Sequence, residues 1–136
     1  MEMSQAARDA LTANLSRELE CNQEIEFAVL HGSFRDGGQY HDVDVAIWIS
    51  AQRIATSDHT RYALDLAADL TMQLGVTIDV QILNEAPLAF RYQALAGTPL
   101  VVRDRNRFDD IRARTWDDYF DFAPFAREYL REALRG

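Results

Sequence analysis

The sequence predicts an α/β (α+β) domain with a small mixed β-sheet of about four strands flanked by helices. Segments with apolar residues at a spacing of four alternate along the chain with short runs rich in β-branched residues. The chain has 136 residues, of which 48% are hydrophobic, which suits one domain with one core. We therefore expect a single domain over residues 1–136 with a C-terminal helical tail from about residue 104. We expect the helices mostly on one face of the sheet.

The first half of the chain predicts one helix followed by two strands. Residues 4–20 form the helix, because apolar residues recur there at every fourth position. Residues 25–30 form a strand that ends at a Gly-Ser turn. Residues 42–49 form the next strand, whose odd positions are all apolar, while its even positions start with two acids and become apolar later. This strand is therefore expected to be buried on both faces except at its beginning.

The middle of the chain predicts a second helix and a third strand. Residues 57–74 carry apolar residues at a spacing of four, and Gly75 can end this helix. Ser57 or Asp58 can cap its start. Residues 76–83 alternate as a strand, in which Asp79 is a single acid in an otherwise apolar segment.

The last third predicts a short helix, a final strand and a helical tail. Pro87 can begin a helix of about ten residues that stops at Gly97. Residues 100–102 are a short apolar run that fits the last strand. The chain reads as helical from residue 104 onward, and Pro124 predicts that this tail consists of two helical pieces.

Composition excludes several classes of protein. The formal net charge of −8 disfavours general coating of nucleic acid, because such a charge repels polyphosphate. The longest apolar runs have about five residues, whereas a membrane-spanning helix needs about 20, so we expect no membrane span. The first residues lack a basic stretch followed by an apolar one, which is the pattern of an export signal, so we expect a cytoplasmic location. The single cysteine, Cys21, excludes an internal disulfide and a thiolate zinc site. A metal ion would have to be bound by oxygen or histidine.

Three aspartates form the candidate metal site. Asp42 and Asp44 lie two apart at the start of a strand, so they share a face with roughly 6.6 Å between them along the backbone. Two carboxylates on one face repel each other unless a divalent cation such as Mg²⁺ lies between them. If the second and third strands are neighbours, Asp79 completes a three-carboxylate cluster.

The turn that precedes this pair supplies a candidate nucleotide-binding element. Gly32 allows close backbone approach, and the N–H groups and hydroxyl at Ser33 can donate to phosphate oxygens. Together, these residues fit phosphoryl or nucleotidyl transfer with two metal ions about 3.5 to 4 Å apart. A deprotonated Asp79 could activate the incoming hydroxyl. Arg35, in the same loop, is either a functional arginine or a solvated surface charge.

The Gly-Ser turn, the Asp-x-Asp pair and the later aspartate resemble the nucleotidyltransferase superfamily typified by DNA polymerase beta, and specifically its minimal members. The stretch from Ile78 to Leu88 and the aromatic tail around Tyr119 resemble the MntA-type antitoxins. This resemblance covers residues of about 25 to 130. It implies a polymerase-beta-like fold with Asp42, Asp44 and Asp79 as metal-binding catalytic residues.

The resemblance implies a Mg²⁺-dependent adenylyltransferase that uses ATP and modifies a tyrosine hydroxyl of a HEPN-domain RNase toxin, thereby acting as antitoxin. Two alternatives stay open: a non-catalytic antitoxin that neutralises by binding, and a nucleotidyltransferase for a small cationic acceptor of the aminoglycoside type, which an acidic surface suits. Direct binding of nucleic acid is not expected.

The tail predicts a protein-binding surface. Six of its aromatic residues cannot all be buried on one helical stripe, because they point in different directions. We therefore expect part of them to contact a partner protein. They are Trp116, Tyr119, Phe120, Phe122, Phe125 and Tyr129.

Overall fold

A computed structural model of the chain describes residues 3–32, 34–35 and 42–135. Four strands form one mixed sheet in the order β3-β2-β1-β4, flanked by four helices, which confirms the predicted fold class. In chain order, the elements are α1 (Gln5–Glu20), β1 (Ile25–His31), β2 (Val43–Ile49), α2 (His59–Leu74), β3 (Ile78–Ile82), α3 (Leu88–Leu95), β4 (Thr98–Val102) and α4 (Arg105–Arg135). No helix in these ranges has the length and hydrophobicity needed to cross a membrane.

The sheet is mixed because it contains both antiparallel and parallel strand pairs. β1 pairs antiparallel with β2 and with β4. β2 pairs parallel with β3, and α2 provides the crossover connection that a parallel pair requires. As a result, the start of β2 lies beside the start of β3, where the acidic residues of both strands occur.

The helices pack on both faces of the sheet, so the expectation that they lie mostly on one face is wrong. α1 and α2 cover one face, with Leu15 and Leu70 buried in that core. α3 and α4 cover the other face, where Phe27 of β1 packs against Phe108 of α4 in a second buried cluster that includes Ala46 of β2. The central strands carry apolar residues on both sides, so burial of each side requires its own layer of helices.

The helix ends follow the sequence signals in part. At α1, the Ser4 Oγ accepts a hydrogen bond from the Ala7 N–H at 3.1 Å. Gly75 ends α2 in the left-handed conformation, with φ of 75°. The start of α2 differs from the prediction, because it follows a 3-10 turn (Thr56–Asp58) and the Asp58 side chain makes no capping hydrogen bond.

The C-terminal tail is one continuous helix, and the prediction of two helical pieces is wrong. α4 runs from Arg105 to Arg135 with Pro124 inside it. Proline removes the hydrogen bond to the carbonyl four residues earlier, that of Phe120. The neighbouring Phe120, Phe122 and Phe125 are exposed, so water can hydrogen-bond to the freed carbonyl while the proline ring keeps a helical φ.

Candidate active site

Two of the predicted aspartates face each other across neighbouring strands. Asp44 of β2 is the register partner of Asp79 of β3 in the parallel pair. Register partners project on the same face, and adjacent strands lie about 4.8 Å apart, so the two carboxylates are side by side. Asp44 is half-buried and Asp79 is exposed. The condition set from the sequence, that the second and third strands are neighbours, is therefore met, and it places Asp79 beside Asp44.

Asp42 lies in a bend immediately before β2 and is exposed to solvent. It precedes Asp44 by two positions, which places both on the same face if the strand alternation extends to it. In the described ranges, no group of three or more His, Cys, Asp or Glu side chains is close enough to hold a metal ion. The three-carboxylate cluster therefore stays a prediction, whereas the Asp44–Asp79 pair is present.

The carboxylate pair is connected by a hydrogen-bond network that the sequence analysis missed. The Gln81 Nε2 donates to the Asp79 Oδ2 at 2.7 Å and to the Asp44 Oδ1 at 3.3 Å. The Gln81 Oε1 accepts from the His31 Nε2 at 2.8 Å. The sequence feature that could have indicated this network is Gln81, a polar residue two positions after Asp79 and therefore on the same face of the strand.

Gly32 follows β1 and shapes the space beside Asp44. Its φ of 82° lies in the left-handed region, which glycine adopts at no steric cost. A Cβ atom at Gly32 would collide with the Asp44 Oδ2. The lack of a side chain at Gly32 therefore allows the Asp44 carboxylate to occupy its position beside the turn. Ser33, the other predicted nucleotide-binding residue, lies outside the described residues, as does most of the loop that follows it.

The chain just after this turn is anchored by two arginines. The Arg8 Nη1 donates to the Phe34 carbonyl at 2.8 Å, and its guanidinium lies 5.1 Å from the centre of the Phe34 ring. The Arg35 Nε donates to the Thr98 Oγ1 of β4 at 3.2 Å. These contacts fix the exit of the turn against α1 and β4. In this structure Arg35 therefore has a partner in the fold.

The donor set fits a hard divalent cation such as Mg²⁺. Such an ion prefers a few carboxylate oxygens together with water and substrate phosphates. Asp44 and Asp79 each use one oxygen for Gln81, and the other Asp44 oxygen faces the hydrogen atoms of Gly32. The arrangement leaves carboxylate oxygens available at a partly solvent-accessible position beside a turn that suits phosphate.

The sequence comparison decides the family. The sequence model described as polymerase beta, nucleotidyltransferase, matches residues 13–106. This chain belongs to the polymerase beta nucleotidyltransferase family. The matched range includes all four strands and every predicted site residue of this nucleotidyltransferase, whereas nearly all of α4 lies beyond it. No curated protein matches the chain.

Solved structures share the fold of this nucleotidyltransferase at low sequence identity. A mutant of the toxin–antitoxin complex MntA-HpeT matches with a TM-score of 0.72 and 19% identity, over 89% of this chain and 95% of that chain. A toxin–antitoxin structure with AMP-PNP matches with a TM-score of 0.70 and 16% identity, over 91% and 98%. The complex of an MNT antitoxin with tri-AMPylated HEPN toxin from Shewanella oneidensis matches with a TM-score of 0.68 and 17% identity, over 92% and 98%.

Proposed function

We propose that this nucleotidyltransferase transfers AMP from ATP to a hydroxyl group of a HEPN-domain toxin in a Mg²⁺-dependent reaction, and so acts as an antitoxin. The observation that carries the proposal is the pairing of Asp44 with Asp79 beside the Gly32 turn. Juxtaposed carboxylates next to a phosphate-binding turn are what transfer of a nucleotidyl group requires. Membership of the nucleotidyltransferase family supports the same reaction class.

The residues have distinct roles in the proposed reaction. The acceptor hydroxyl oxygen attacks the α-phosphorus of ATP, the bond to the bridging oxygen breaks, and pyrophosphate leaves. Asp79 accepts the proton of the attacking hydroxyl. Backbone N–H groups at Gly32 and Ser33 donate to the phosphate oxygens. Asp42, Asp44 and Asp79 would hold Mg²⁺, two ions in our proposal, which supplies positive charge for the phosphate oxygens.

The choice of donor and acceptor is supported by the fold relatives. One relative contains AMP-PNP, an ATP analogue, and another is an MNT antitoxin bound to a HEPN toxin that carries three AMP groups. The sequence resemblance implies tyrosine as the acceptor residue on the toxin. We assign the same donor and acceptor class to this chain.

The test is to incubate the full chain with ATP, Mg²⁺ and a HEPN-domain protein from the same genome, and to measure the intact mass of that protein. We expect a mass increase of whole AMP units with the wild type and a loss of modification by orders of magnitude with Asp44→Asn. Asp69→Asn is the matched control, because it makes the same charge change at an exposed position of α2. Equal modification by Asp44→Asn and wild type would contradict the proposed mechanism.

A second candidate function is neutralisation of the toxin by contact alone. It is favoured by exposed aromatic residues of α4, among them Phe125 and Tyr129, which the described fold leaves uncovered. The Asp42→Asn/Asp44→Asn double variant separates the two functions. If this variant still protects cells from the toxin as well as the wild type does, catalysis is unnecessary for the antitoxin activity.

A further inference from the structure

The Gln81 side chain joins the two facing carboxylates and is itself held by His31 from the far side of β2. We propose that Gln81, oriented by His31, is a positioning residue that holds Asp44 and Asp79 in a metal-ready arrangement. The role in transfer rests on the proposed function above. The positioning itself can be measured without any transfer reaction.

The Asp44 and Asp79 carboxylates need a group that holds them together. Two carboxylates in register on adjacent strands repel each other and would separate without a shared cation or donor. The amide nitrogen of Gln81 has two hydrogen atoms, one for each carboxylate. The bonds use the Asp44 Oδ1 and the Asp79 Oδ2, which leaves one oxygen of each aspartate for another ligand. Gln81 therefore links the pair without blocking it.

The orientation of the Gln81 amide follows from the groups that it contacts. The Gln81 Oε1 can only accept, so the His31 Nε2 must carry the hydrogen of their 2.8 Å bond. A flipped amide would direct its oxygen at two carboxylates and its NH₂ group at the His31 donor. The two carboxylates, which only accept, require the NH₂ end of the amide, and His31 supports this orientation by donating to the amide oxygen.

The contact between His31 and Gln81 needs space above β2. β2 lies between the strands of His31 and Gln81, so their bond crosses it. The β2 residue in register with Gln81 is Ala46, whose methyl group leaves room for the crossing. The Phe90 ring of α3 contacts the His31 ring edge to face, with 5.7 Å between the ring centres. The imidazole is therefore held by packing as well as by hydrogen bonding.

The experiment measures Mn²⁺ binding to the full chain by electron paramagnetic resonance, with no nucleotide present. Gln81→Met keeps the length of the side chain and removes its donors, so we expect Mn²⁺ affinity to fall about tenfold or more. Gln81→Asn is the second variant, because it keeps an amide that is too short to reach both carboxylates. Gln73→Met, at an exposed position of α2, is the matched control and should bind as the wild type does.

A double-variant comparison tests the contribution of His31. His31→Leu should weaken Mn²⁺ binding, and the His31→Leu/Gln81→Met variant should bind no more weakly than Gln81→Met alone, because both act through the same amide. Additive losses would overturn the assignment of His31. A merely structural role predicts lower thermal stability in EDTA with Mn²⁺ affinity unchanged in the folded variants, and this result would overturn the assignment of Gln81.

A transfer assay separates this inference from the proposed function. In Gln81→Met, saturating Mg²⁺ should restore most of the transfer rate, while the Mg²⁺ concentration for half-maximal rate rises about tenfold or more. If the wild type transfers AMP and both Gln81 variants bind Mn²⁺ as tightly as the wild type, the positioning role of Gln81 is wrong and the proposed function stands. If the Gln81 variants lose Mn²⁺ affinity but the wild type transfers no AMP, the proposed function is wrong and the positioning role of Gln81 stands. Absence of Mn²⁺ binding by the wild type up to millimolar concentration would overturn the inference.

Discussion

Gly32 and Gly75 have nearly the same backbone conformation in different surroundings. Their φ angles are 82° and 75°, both in the left-handed region. A Cβ at Gly32 would collide with the Asp44 carboxylate, whereas a Cβ at Gly75 meets nothing within 4 Å. Substitutions at these two glycines therefore distinguish the effect of backbone strain, which both share, from the effect of filling the space beside Asp44, which occurs only at Gly32.

We predict that Gly32→Ala and Gly75→Ala each lower the free energy of unfolding by about 1 kcal/mol through backbone strain, with a further loss at Gly32 from the collision. AMP transfer should fall strongly only in Gly32→Ala, because the added methyl group displaces the Asp44 carboxylate. Chemical denaturation and the intact-mass transfer assay provide the two measurements. Comparable transfer by the two variants would show that the space at Gly32 is not needed.

The contact between Tyr62 and Glu24 makes stability depend on pH in the alkaline range. The Tyr62 hydroxyl donates to the Glu24 Oε2 at 3.0 Å. Burial, and then the hydrogen bond and charge of Glu24, raise the pKa of Tyr62 above its ordinary value of 10.0. The unfolded chain releases this proton at a lower pH than the folded chain. The stabilisation is therefore fully present below about pH 10 and is lost as pH rises from there through the folded pKa.

We predict that the wild type loses more stability than Tyr62→Phe between about pH 9 and pH 11, because the phenylalanine variant lacks this titration. Urea denaturation of both proteins at the two pH values measures the difference. Parallel losses in the two proteins would mean that Tyr62 titrates alike in the folded and unfolded chains.

At the scale of elements, α4 changes character along its length. Its first part is packed through Phe108, and Tyr119 stacks on Tyr92 of α3 with 4.0 Å between ring centres and planes 5° apart. Beyond this stack, Phe125 is 77% exposed and Tyr129 is 73% exposed. The second part of α4 is therefore a helix that the described fold does not cover.

We predict that Pro124→Ala strengthens this second part without stabilising the domain as a whole. Proline costs about 3 kcal/mol relative to alanine inside a helix, but the residues after it bury little surface. Hydrogen exchange should show increased protection of amides after residue 124, while the melting temperature of the domain stays the same. A rise in that melting temperature would place the end of α4 in the same cooperative unit as the sheet.

At the scale of the whole molecule, the exposed aromatic side chains of α4 offer a surface for the proposed toxin. We predict that Phe122→Ala and Phe125→Ala each weaken toxin binding by about 1 kcal/mol or more, since large aromatic residues dominate interface energetics. Leu64→Ala and Met72→Ala are the controls, because they remove exposed apolar side chains from α2. Calorimetric titration with the toxin measures all four. Equal effects at α2 and α4 would contradict a specific surface on α4.

Most of the fold could be predicted from the sequence because local patterns determine it. The odd positions from Val43 to Ile49 identify β2, and the spacing of Leu11, Leu15 and Leu19 identifies α1. The two-sided placement of helices was not predicted, although Ala46 and Trp48 make the second face of β2 apolar. The continuity of α4 was also not predicted. It depends on whether water can reach the Phe120 carbonyl that Pro124 leaves without a hydrogen bond, and the local sequence does not show how exposed that carbonyl is.

The candidate site could be predicted only in part, because some of its contacts depend on the register between strands. The acids could be recognised because Asp42 and Asp44 are paired at the start of a strand and Asp79 interrupts an otherwise apolar one. The link from His31 to Gln81 depends on how three strands align across the sheet, and no local pattern specifies that alignment. The placement of Ser33 stays a prediction.

The hydrogen bonds of the site also determine when during folding it can exist. Two of them join residues 37 and 50 positions apart in sequence and require the parallel pairing of β2 with β3. We expect this pairing to form late, because closing a long connection costs entropy before any contact compensates for it. A chain in which β2 and β3 have not yet paired has no facing carboxylates, so we expect the metal site only in the completely folded molecule.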